Sequence, residues 1–249
     1  MGPDLCLALE LSDAADTASM RHFRTGLVVE TKPDLTPVTE ADRAVESELR
    51  RLLAEARPND AILGEEHGTK EGEGDRRWLI DPIDGTRNYT RGIPVWGTLI
   101  ALEEDGQVRV GVASAPALGR RWWAERGSGS FANGDRIRVS KVDRIEDAVV
   151  SVGFDRRLPD LVSRAWHVRG FGDLWGHMLV AEGAVDASLD EHGVSEWDLA
   201  AAQVILEEAG GCLTDLDGAR RIDSGTAVAS NGLLHPEIIS AFAEHVGTS

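Results

Sequence analysis

Cysteine is scarce in this chain, and the two that are present, Cys6 and Cys212, lie far apart in the sequence. Such a pair supplies neither a disulfide framework nor the closely spaced ligands of a zinc site. Chains without disulfides are typical of reducing compartments. We therefore predict two buried free thiols in a cytoplasmic protein.

Long apolar runs and clustered basic residues are also missing. No apolar span reaches the roughly twenty residues that cross a bilayer, and the first four residues lack the basic region of a secretory signal. The 26 Lys and Arg residues are outnumbered by 43 Asp and Glu residues, which gives a net charge of −17. We therefore expect no membrane and no nucleic-acid partner, and a phosphorylated substrate would need bound cations to invert the local field.

Motifs for zinc or covalent catalysis are absent as well. None of the seven histidines shows the paired spacing of a zinc site, and no Gly-x-Ser-x-Gly motif marks a serine nucleophile. The acidic residues described below are instead the oxygen ligands that Mg²⁺ prefers.

The length of 249 residues suits a single domain, which we predict to span 1–249, with an α+β half at about 1–145 and an α/β half at about 146–249. Apolar spacing predicts a first helix at 4–24 with Asp4 as its cap, and the polar stretch 31–39 reads as an exposed loop. Further predictions for the first half are a short strand at 27–29, a surface loop at 69–77 and successive antiparallel strands that end with one at 137–139. Strands and helices, among them a helix at 158–166, alternate in the second half, which favours a mixed sheet.

The most informative stretch is residues 78–86, with the sequence Trp-Leu-Ile-Asp-Pro-Ile-Asp-Gly-Thr. Its apolar start predicts a short buried strand. Pro82 cannot donate a ladder hydrogen bond, so the strand is predicted to end at Asp81.

The residues after that strand bring several oxygen donors together. Asp81 and Asp84 are three positions apart on a predicted tight turn, with the Ile83 carbonyl between them. Gly85 and Thr86 would open a helix whose free N–H groups face the same point. Together these groups suit a hard cation that in turn holds a phosphate. The alternative is a plain strand-to-helix turn with aspartate as its cap.

Two predicted helix starts carry aspartate at a capping position. Thr39 precedes Asp42 by three residues, and Ser195 precedes Asp198 by the same spacing. This is the capping-box pattern with Asp in place of Glu or Gln, so local structure alone explains both aspartates. A carboxylate at a helix start such as Asp198 can also face a cation at the sheet edge, and the sequence leaves both roles open.

Adjacent glutamates, Glu65 and Glu66, follow the predicted strand at 61–63. Side chains alternate between faces in an extended chain, so only one of the two can point into a shared site. The alternative is a solvated acidic loop.

These motifs together resemble the inositol monophosphatase superfamily of Mg²⁺-dependent phosphatases. The similarity extends over nearly the whole chain, through these landmarks: Thr39 to Asp42, Gly64 to Glu66, Asp81 to Thr86, Gly129 to Gly134, Leu179 to Gly183, Trp197 to Asp198 and Glu207 to Gly211. The resemblance implies the layered α-β-α-β-α sandwich of the sugar phosphatases and a homodimer.

The resemblance also implies two to three Mg²⁺ ions and a metal-activated water as the attacking group. The implied metal ligands are Glu65, Asp81, the Ile83 carbonyl, Asp84 and Asp198. The implied catalytic residues are Asp42, Thr86 and Glu65, and the N–H groups of Gly85 and Thr86 would hold phosphate oxygens.

Residues that contact the alcohol part of the substrate are implied in the same way: Arg169, Asp173 and Glu191, beside Asp84 and Asp198. The Gly172-Asp173 pair and the loop 31–39 look most like the bacterial histidinol-phosphate phosphatases of this superfamily. Carboxylates at Asp173 and Glu191 can form charge-assisted hydrogen bonds with the ammonium group of histidinol phosphate.

Two alternatives remain open. Asp173 can act only as the cap of a helix at 174–182, since Asp favours cap positions. The substrate can instead be inositol 1-phosphate or another sugar or nucleotide monophosphate. A non-catalytic interaction module is disfavoured because all of the implied acidic ligands are present.

Overall fold

The computed structural model describes residues 1–26, 29–31, 37–153 and 160–246. The α-helices in these residues are α1 (Pro3–His22), α2 (Glu40–Ala56), α3 (Thr86–Thr90), α4 (Asp160–Ser163), α5 (Asp173–Ala181), α6 (Glu196–Glu208) and α7 (His235–Val246). The strands are β1 (Val29–Thr31), β2 (Pro37–Thr39), β3 (Ala61–Gly64), β4 (Gly68–Lys70), β5 (Arg76–Asp84), β6 (Gly97–Glu104), β7 (Gln107–Ala115), β8 (Arg120–Glu125), β9 (Gly129–Ala132), β10 (Asp135–Arg136), β11 (Val149–Val152), β12 (His167–Arg169), β13 (Ala187–Asp190), β14 (Cys212–Thr214) and β15 (Ala227–Ser230).

Two large sheets organise these strands. The first has the order β10-β9-β8-β7-β6-β5-β3-β4 and is antiparallel except where β3 runs parallel to β5. The second has the order β12-β11-β13-β15-β14, with β12, β11 and β13 parallel and the other two antiparallel. Strands β1 and β2 form a separate antiparallel pair. The mixed sheet expected for the second half is therefore present.

Alternating side chains on the strands define the layers. On β5, Trp78 and Ile80 pack with α1 and α2, whereas Leu79 packs on the opposite face with α5 and α6. On the second sheet, Leu213 faces α6, whereas Val150 packs on the opposite face with α4 and α7. The order of layers is helix, sheet, helix, sheet, helix, which confirms the predicted α-β-α-β-α sandwich. None of the helices among the described residues has the length and apolar character needed to cross a membrane.

The prediction that the central strand ends at Asp81 is wrong, because β5 continues to Asp84. The pairing of β5 with β6 shifts register between Asp81 and Asp84, so Pro82 lies in an irregular part of the ladder where a missing N–H is tolerated. The Pro82 carbonyl accepts a 2.8 Å hydrogen bond from the Thr98 hydroxyl. The bulge therefore carries the acidic motif on a rigid strand instead of a free turn.

The predictions for α1 also need correction. Gly2 occupies the cap position, whereas Asp4 accepts hydrogen bonds from Arg57 at 2.8 Å and from Arg76 at 3.0 Å. Cys6 is exposed and Cys212 is half-buried, so neither is the fully buried thiol that was predicted. The outer face of an amphipathic helix is open to solvent, and Cys6 lies there.

Some boundaries differ in other places. The predicted surface loop at 69–77 overlaps β4 and the start of β5. Residues 137–139, predicted as a strand, have no regular structure, although the Val139 N–H donates to the Ala209 carbonyl at 3.1 Å. Of the predicted loop at 31–39, residues 32–36 lie outside the described residues. So do residues 27–28 of a predicted strand and 158–159 of a predicted helix.

Candidate active site

The site begins where β3 ends beside the parallel strand β5. In the pairing of β3 with β5, Gly64 lies opposite Ile80. Glu65, which follows β3, therefore lies beside Asp81 of β5, and the Glu65 N–H donates to the Ile80 carbonyl at 3.2 Å. Carboxyl ends of parallel strands are the usual place for ligand sites in α/β sheets.

Three aspartates form a tight cluster at this edge. Carboxylate oxygens of Asp81, Asp84 and Asp198 all lie within 4.8 Å of one another. Each carboxylate is fixed by one backbone N–H: that of Ile83 on Asp81 at 3.0 Å, that of Leu174 on Asp84 at 2.5 Å and that of Ser195 on Asp198 at 2.6 Å. The cluster thus joins the end of β5 to the first turns of α5 and α6.

Burial and mutual repulsion make this cluster unfavourable as three separate anions. Burial raises the pKa of Asp81 and Asp84 well above the ordinary range, and the neighbouring carboxylates raise both further. Burial likewise raises the pKa of Asp198 to about 7. A set of buried oxygen donors that repel one another fits hard divalent cations, which remove the repulsion and prefer carboxylate ligands.

The two adjacent glutamates have different charged neighbours among the described contacts. The Glu65 carboxylate raises the pKa of Asp81, Asp198 and Asp42, which places it among them. Glu66 instead lies near Arg43, whose pKa its charge helps to raise.

Glu46, which sequence reasoning missed, holds the turn that presents Glu65. Its side chain is fully buried, pairs with Arg50 at 2.7 Å and accepts the N–H groups of Glu66 at 2.7 Å and His67 at 3.2 Å. The available signal was an acidic residue on the apolar face of a predicted helix, four positions before an arginine.

Asp42 takes part in the predicted capping box of α2 and also contacts Thr86 in the candidate site. Its Oδ2 atom accepts from the Thr39 N–H at 2.8 Å and from the Thr39 hydroxyl at 2.5 Å. Its Oδ1 atom lies 3.4 Å from the Thr86 hydroxyl, which also lies 3.0 Å from the Ile83 carbonyl. Burial raises the pKa of Asp42, and the Thr39 hydrogen bonds oppose that rise.

Gly85 forms the cap of α3 in a conformation that suits glycine. Its φ is +82°, and a Cβ atom there would lie 3.2 Å from the Val95 carbonyl and from Asp173 Oδ2. Behind α3, the Tyr89 ring packs edge-on against Trp96 with centroids 4.7 Å apart, and its hydroxyl donates to the Ser19 carbonyl at 2.7 Å. Sequence reasoning missed this aromatic support, which anchors α3 to the end of α1.

Asp173 is not the helix cap that the alternative required. Gly172 holds the cap position of α5, and the N–H of Leu174 is taken by Asp84. Asp173 has a φ of +47°, a strained conformation for a residue with a Cβ atom, and its carboxylate accepts from the Asn88 side chain at 3.3 Å. Burial raises its pKa, with a further contribution from Asp190.

Arg169 and Glu191, the remaining predicted site residues, lie at the carboxyl ends of parallel strands in the second sheet. Arg169 ends β12 and Glu191 follows β13, and these strands are both parallel to β11, so both residues lie at one edge. Glu191 is half-buried in the loop before α6. Arg169 is exposed and its hydrogen bonds run to Val168 and His167 of its own strand, so the described contacts do not bring it into the acidic cluster.

Comparison with known proteins agrees with this geometry. The profile of the inositol monophosphatase family matches residues 3–247. A histidinol-phosphatase of Mycobacterium tuberculosis is 50% identical over 95% of this chain and 96% of its own, and one of Streptomyces coelicolor is 49% identical over 95% of each chain. The solved structure of an IMPase from Thermotoga maritima superposes with a TM-score of 0.91 at 33% identity over 99% of each chain. The chain belongs to the inositol monophosphatase family.

Proposed function

We propose that this chain is a Mg²⁺-dependent phosphomonoesterase that hydrolyses histidinol phosphate to histidinol and phosphate. The observation that carries the reaction class is the partly buried cluster of Asp81, Asp84 and Asp198, whose oxygens converge within 4.8 Å. The similarity to two histidinol-phosphatases, at about half of all positions, supports the choice of alcohol.

The proposed ligands for two to three Mg²⁺ ions are Glu65, Asp81, the Ile83 carbonyl, Asp84 and Asp198. The Ile83 carbonyl already accepts from the Thr86 hydroxyl at 3.0 Å, but a carbonyl oxygen has a second lone pair. When bound, the ions supply Lewis-acid activation of water and neutralise the charge on the transferring phosphoryl group. They also offset the charge of −17 that otherwise repels a phosphate.

The chain's own contribution to proton transfer lies in Asp42 and Thr86. Asp42 Oδ2 is committed to Thr39, which leaves Oδ1 facing the Thr86 hydroxyl at 3.4 Å. That hydroxyl has a single proton, so when it turns from the Ile83 carbonyl to Asp42 Oδ1 its lone pairs can accept a hydrogen bond from a water molecule. The raised pKa of Asp42 makes its carboxylate a stronger proton acceptor than an ordinary aspartate.

Phosphate would bind at the start of α3. The N–H groups of Gly85 and Thr86 belong to the first turn of that helix, where backbone donors lack intrahelical partners. The Gly85 conformation and the close Val95 carbonyl leave no room for a side chain there. We expect this turn to accept the phosphoryl oxygens without rearrangement.

The alcohol end of the substrate would contact Asp173 and Glu191. Asp173 has an exposed side chain on a strained backbone, and the nearby Arg87 charge only partly opposes the rise in its pKa caused by desolvation. An ammonium group provides the counter-charge that a neutral polyol lacks. Arg169 stays a proposed contact, at the outer rim of this edge.

Phosphate release from histidinol phosphate and from inositol 1-phosphate, at equal concentrations with Mg²⁺, tests the proposal. We expect histidinol phosphate to be preferred by about a hundredfold or more in kcat/KM. Equal or better turnover of inositol 1-phosphate would overturn the choice of substrate and favour a sugar monophosphatase, the class to which the Thermotoga maritima neighbour is assigned by name.

We further propose that the chain works as a homodimer in the cytoplasm. The two free cysteines support a reducing compartment. Light scattering during size-exclusion chromatography tests the assembly, and a mass of one chain would contradict the dimer.

A further inference from the structure

A buried histidine–aspartate pair lies at the alcohol end of the site and is not used by the chemistry described above. His177 Nε2 lies 2.8 Å from Asp190 Oδ2, and the two side chains are 3% and 14% exposed. His177 belongs to α5, the helix that begins at Asp173, and Asp190 is the last residue of β13. The pair therefore joins the two elements that carry the proposed alcohol contacts.

The geometry points to Asp190 as a specificity-determining carboxylate for a cationic alcohol, with His177 as the residue that positions it. This inference rests on the proposed function, and it adds a substrate contact and a positioning residue to that site. The ligand group it selects is an ammonium on the alcohol part of a phosphate monoester.

The position of Asp190 supports this role. Strands β12, β11 and β13 are parallel, so Asp190 lies at the same carboxyl edge as Arg169 and Gly153. Its charge raises the pKa of both Asp173 and Asp198, which places it as an electrostatic neighbour of the proposed alcohol contact and of a proposed metal ligand.

The two oxygens of Asp190 differ in their contacts. Oδ2 is held by His177, whereas Oδ1 accepts no hydrogen bond from the described residues. A Cβ atom on Gly153 would lie 3.5 Å from Oδ1, which is ordinary van der Waals contact, so this oxygen lies beside the residue that follows β11. A carboxylate with one fixed and one open oxygen is suited to receive an N–H donor from a ligand.

His177 orients Asp190 through one ring nitrogen. An ionised carboxylate only accepts, so Nε2 carries the proton in this hydrogen bond. Nδ1 is buried and has no hydrogen-bond partner among the described residues, so a proton there would be an unsatisfied donor. The Nε2 contact is thus the described hydrogen bond by which the ring orients Asp190.

The test compares Asp190→Asn with the wild-type enzyme, both with Mg²⁺. The expected result is a fall of about tenfold or more in the ratio of kcat/KM for histidinol phosphate over inositol 1-phosphate, the size of a lost charge-assisted hydrogen bond. Titration calorimetry with histidinol alone should show a matching loss of affinity. The exposed Asp143→Asn variant, which makes the same chemical change away from the site, should keep both values.

His177→Asn separates positioning from packing. It should lower the same ratio mainly through KM, and its effect on the ratio should disappear in the double variant with Asp190→Asn, because it acts through that residue. A simple loss of packing would instead lower turnover of both esters by similar factors in either background.

Two outcomes would overturn the inference: a ratio within about twofold of wild type in Asp190→Asn, or unchanged histidinol affinity in that variant. Failure of the proposed function looks different, because wild-type enzyme would then turn over inositol 1-phosphate as well as histidinol phosphate. The histidinol titration still tests Asp190 in that case.

Discussion

Two helix starts in this molecule use the same local device for different purposes. Asp42 in α2 and Asp198 in α6 both occupy the third helical position of a capping box, and both accept the N–H of their cap residue, Thr39 or Ser195. Asp42 then faces a threonine hydroxyl, whereas Asp198 faces two further carboxylates. The capping pattern sets where a carboxylate sits, and the element opposite decides its chemistry.

The two aspartates differ in the groups that surround their carboxylates. Asp198 has Asp81 and Asp84 within 4.8 Å, and burial, together with the Glu65 and Asp190 charges, raises its pKa to about 7. Asp42 keeps two hydrogen bonds from Thr39 that oppose the effect of burial. We therefore propose cation binding for Asp198 and proton acceptance for Asp42.

The largest effect is expected from Asp198→Asn. An amide keeps an oxygen for the Ser195 N–H but removes one anionic ligand from the cluster. We expect kcat/KM to fall by at least about 10³, or about 4 kcal/mol, with a matching loss of Mg²⁺ affinity in titration calorimetry. Glu196→Gln, in the same first turn, is the matched control and should retain Mg²⁺ binding. Unchanged Mg²⁺ affinity in Asp198→Asn would contradict its assignment as a ligand.

Asp42→Asn should produce a smaller loss of a different kind. The amide oxygen can still accept from Thr39, so α2 stays capped, but the proton acceptor is removed. We expect kcat to fall by about 10² to 10⁴ while Mg²⁺ affinity changes little. Glu40→Gln in the same first turn serves as the control. If Asp42→Asn loses Mg²⁺ as severely as Asp198→Asn does, the two aspartates share one role and the comparison fails.

The stability of the metal-free protein should depend on pH through the carboxylate cluster. Between pH 3.8, the ordinary pKa of aspartate, and about pH 7, the raised pKa of Asp198, the folded protein holds a proton on Asp198 that the unfolded chain has lost. Since the folded state then binds more protons, stability falls as the pH rises through this range. Added Mg²⁺ competes with the proton, so the gain in Tm from Mg²⁺ should be larger at about pH 8 than at about pH 5. An equal gain at both values would argue against a metal site in this cluster.

Much of this architecture was predictable from local patterns. The layers follow from alternation on strands such as β5, and the hairpin turn at Asp105-Gly106 has positive φ at both residues, as its sequence predicts. The predicted end of β5 at Asp81 was wrong because the effect of Pro82 on the strand depends on its register with β6, which a local pattern does not contain.

The residues that were missed depend on contacts far along the chain. Glu46 holds a turn 20 residues away, and Asn88 contacts Asp173 across 85 residues. His177 and Asp190 belong to a helix and a strand whose adjacency is fixed by the second sheet. Local sequence spacing cannot predict such long-range pairs, whereas it does predict the two capping boxes.

The smallest expected effects come from the cap residues themselves. Ser195→Ala and Thr39→Ala remove cap side chains, and each should lower the free energy of unfolding by about 1 kcal/mol. Their catalytic effects should differ, because the Thr39 hydroxyl donates to Asp42 at 2.5 Å whereas Asp198 is held by the Ser195 backbone N–H. We expect Thr39→Ala to shift the pH dependence of kcat and Ser195→Ala to leave it in place, as measured on the Mg²⁺-loaded enzyme. Equal pH profiles for the two variants would show that the Thr39 hydroxyl does not affect the pKa of Asp42. The cap side chains of α2 and α6 would then have the same, purely structural role.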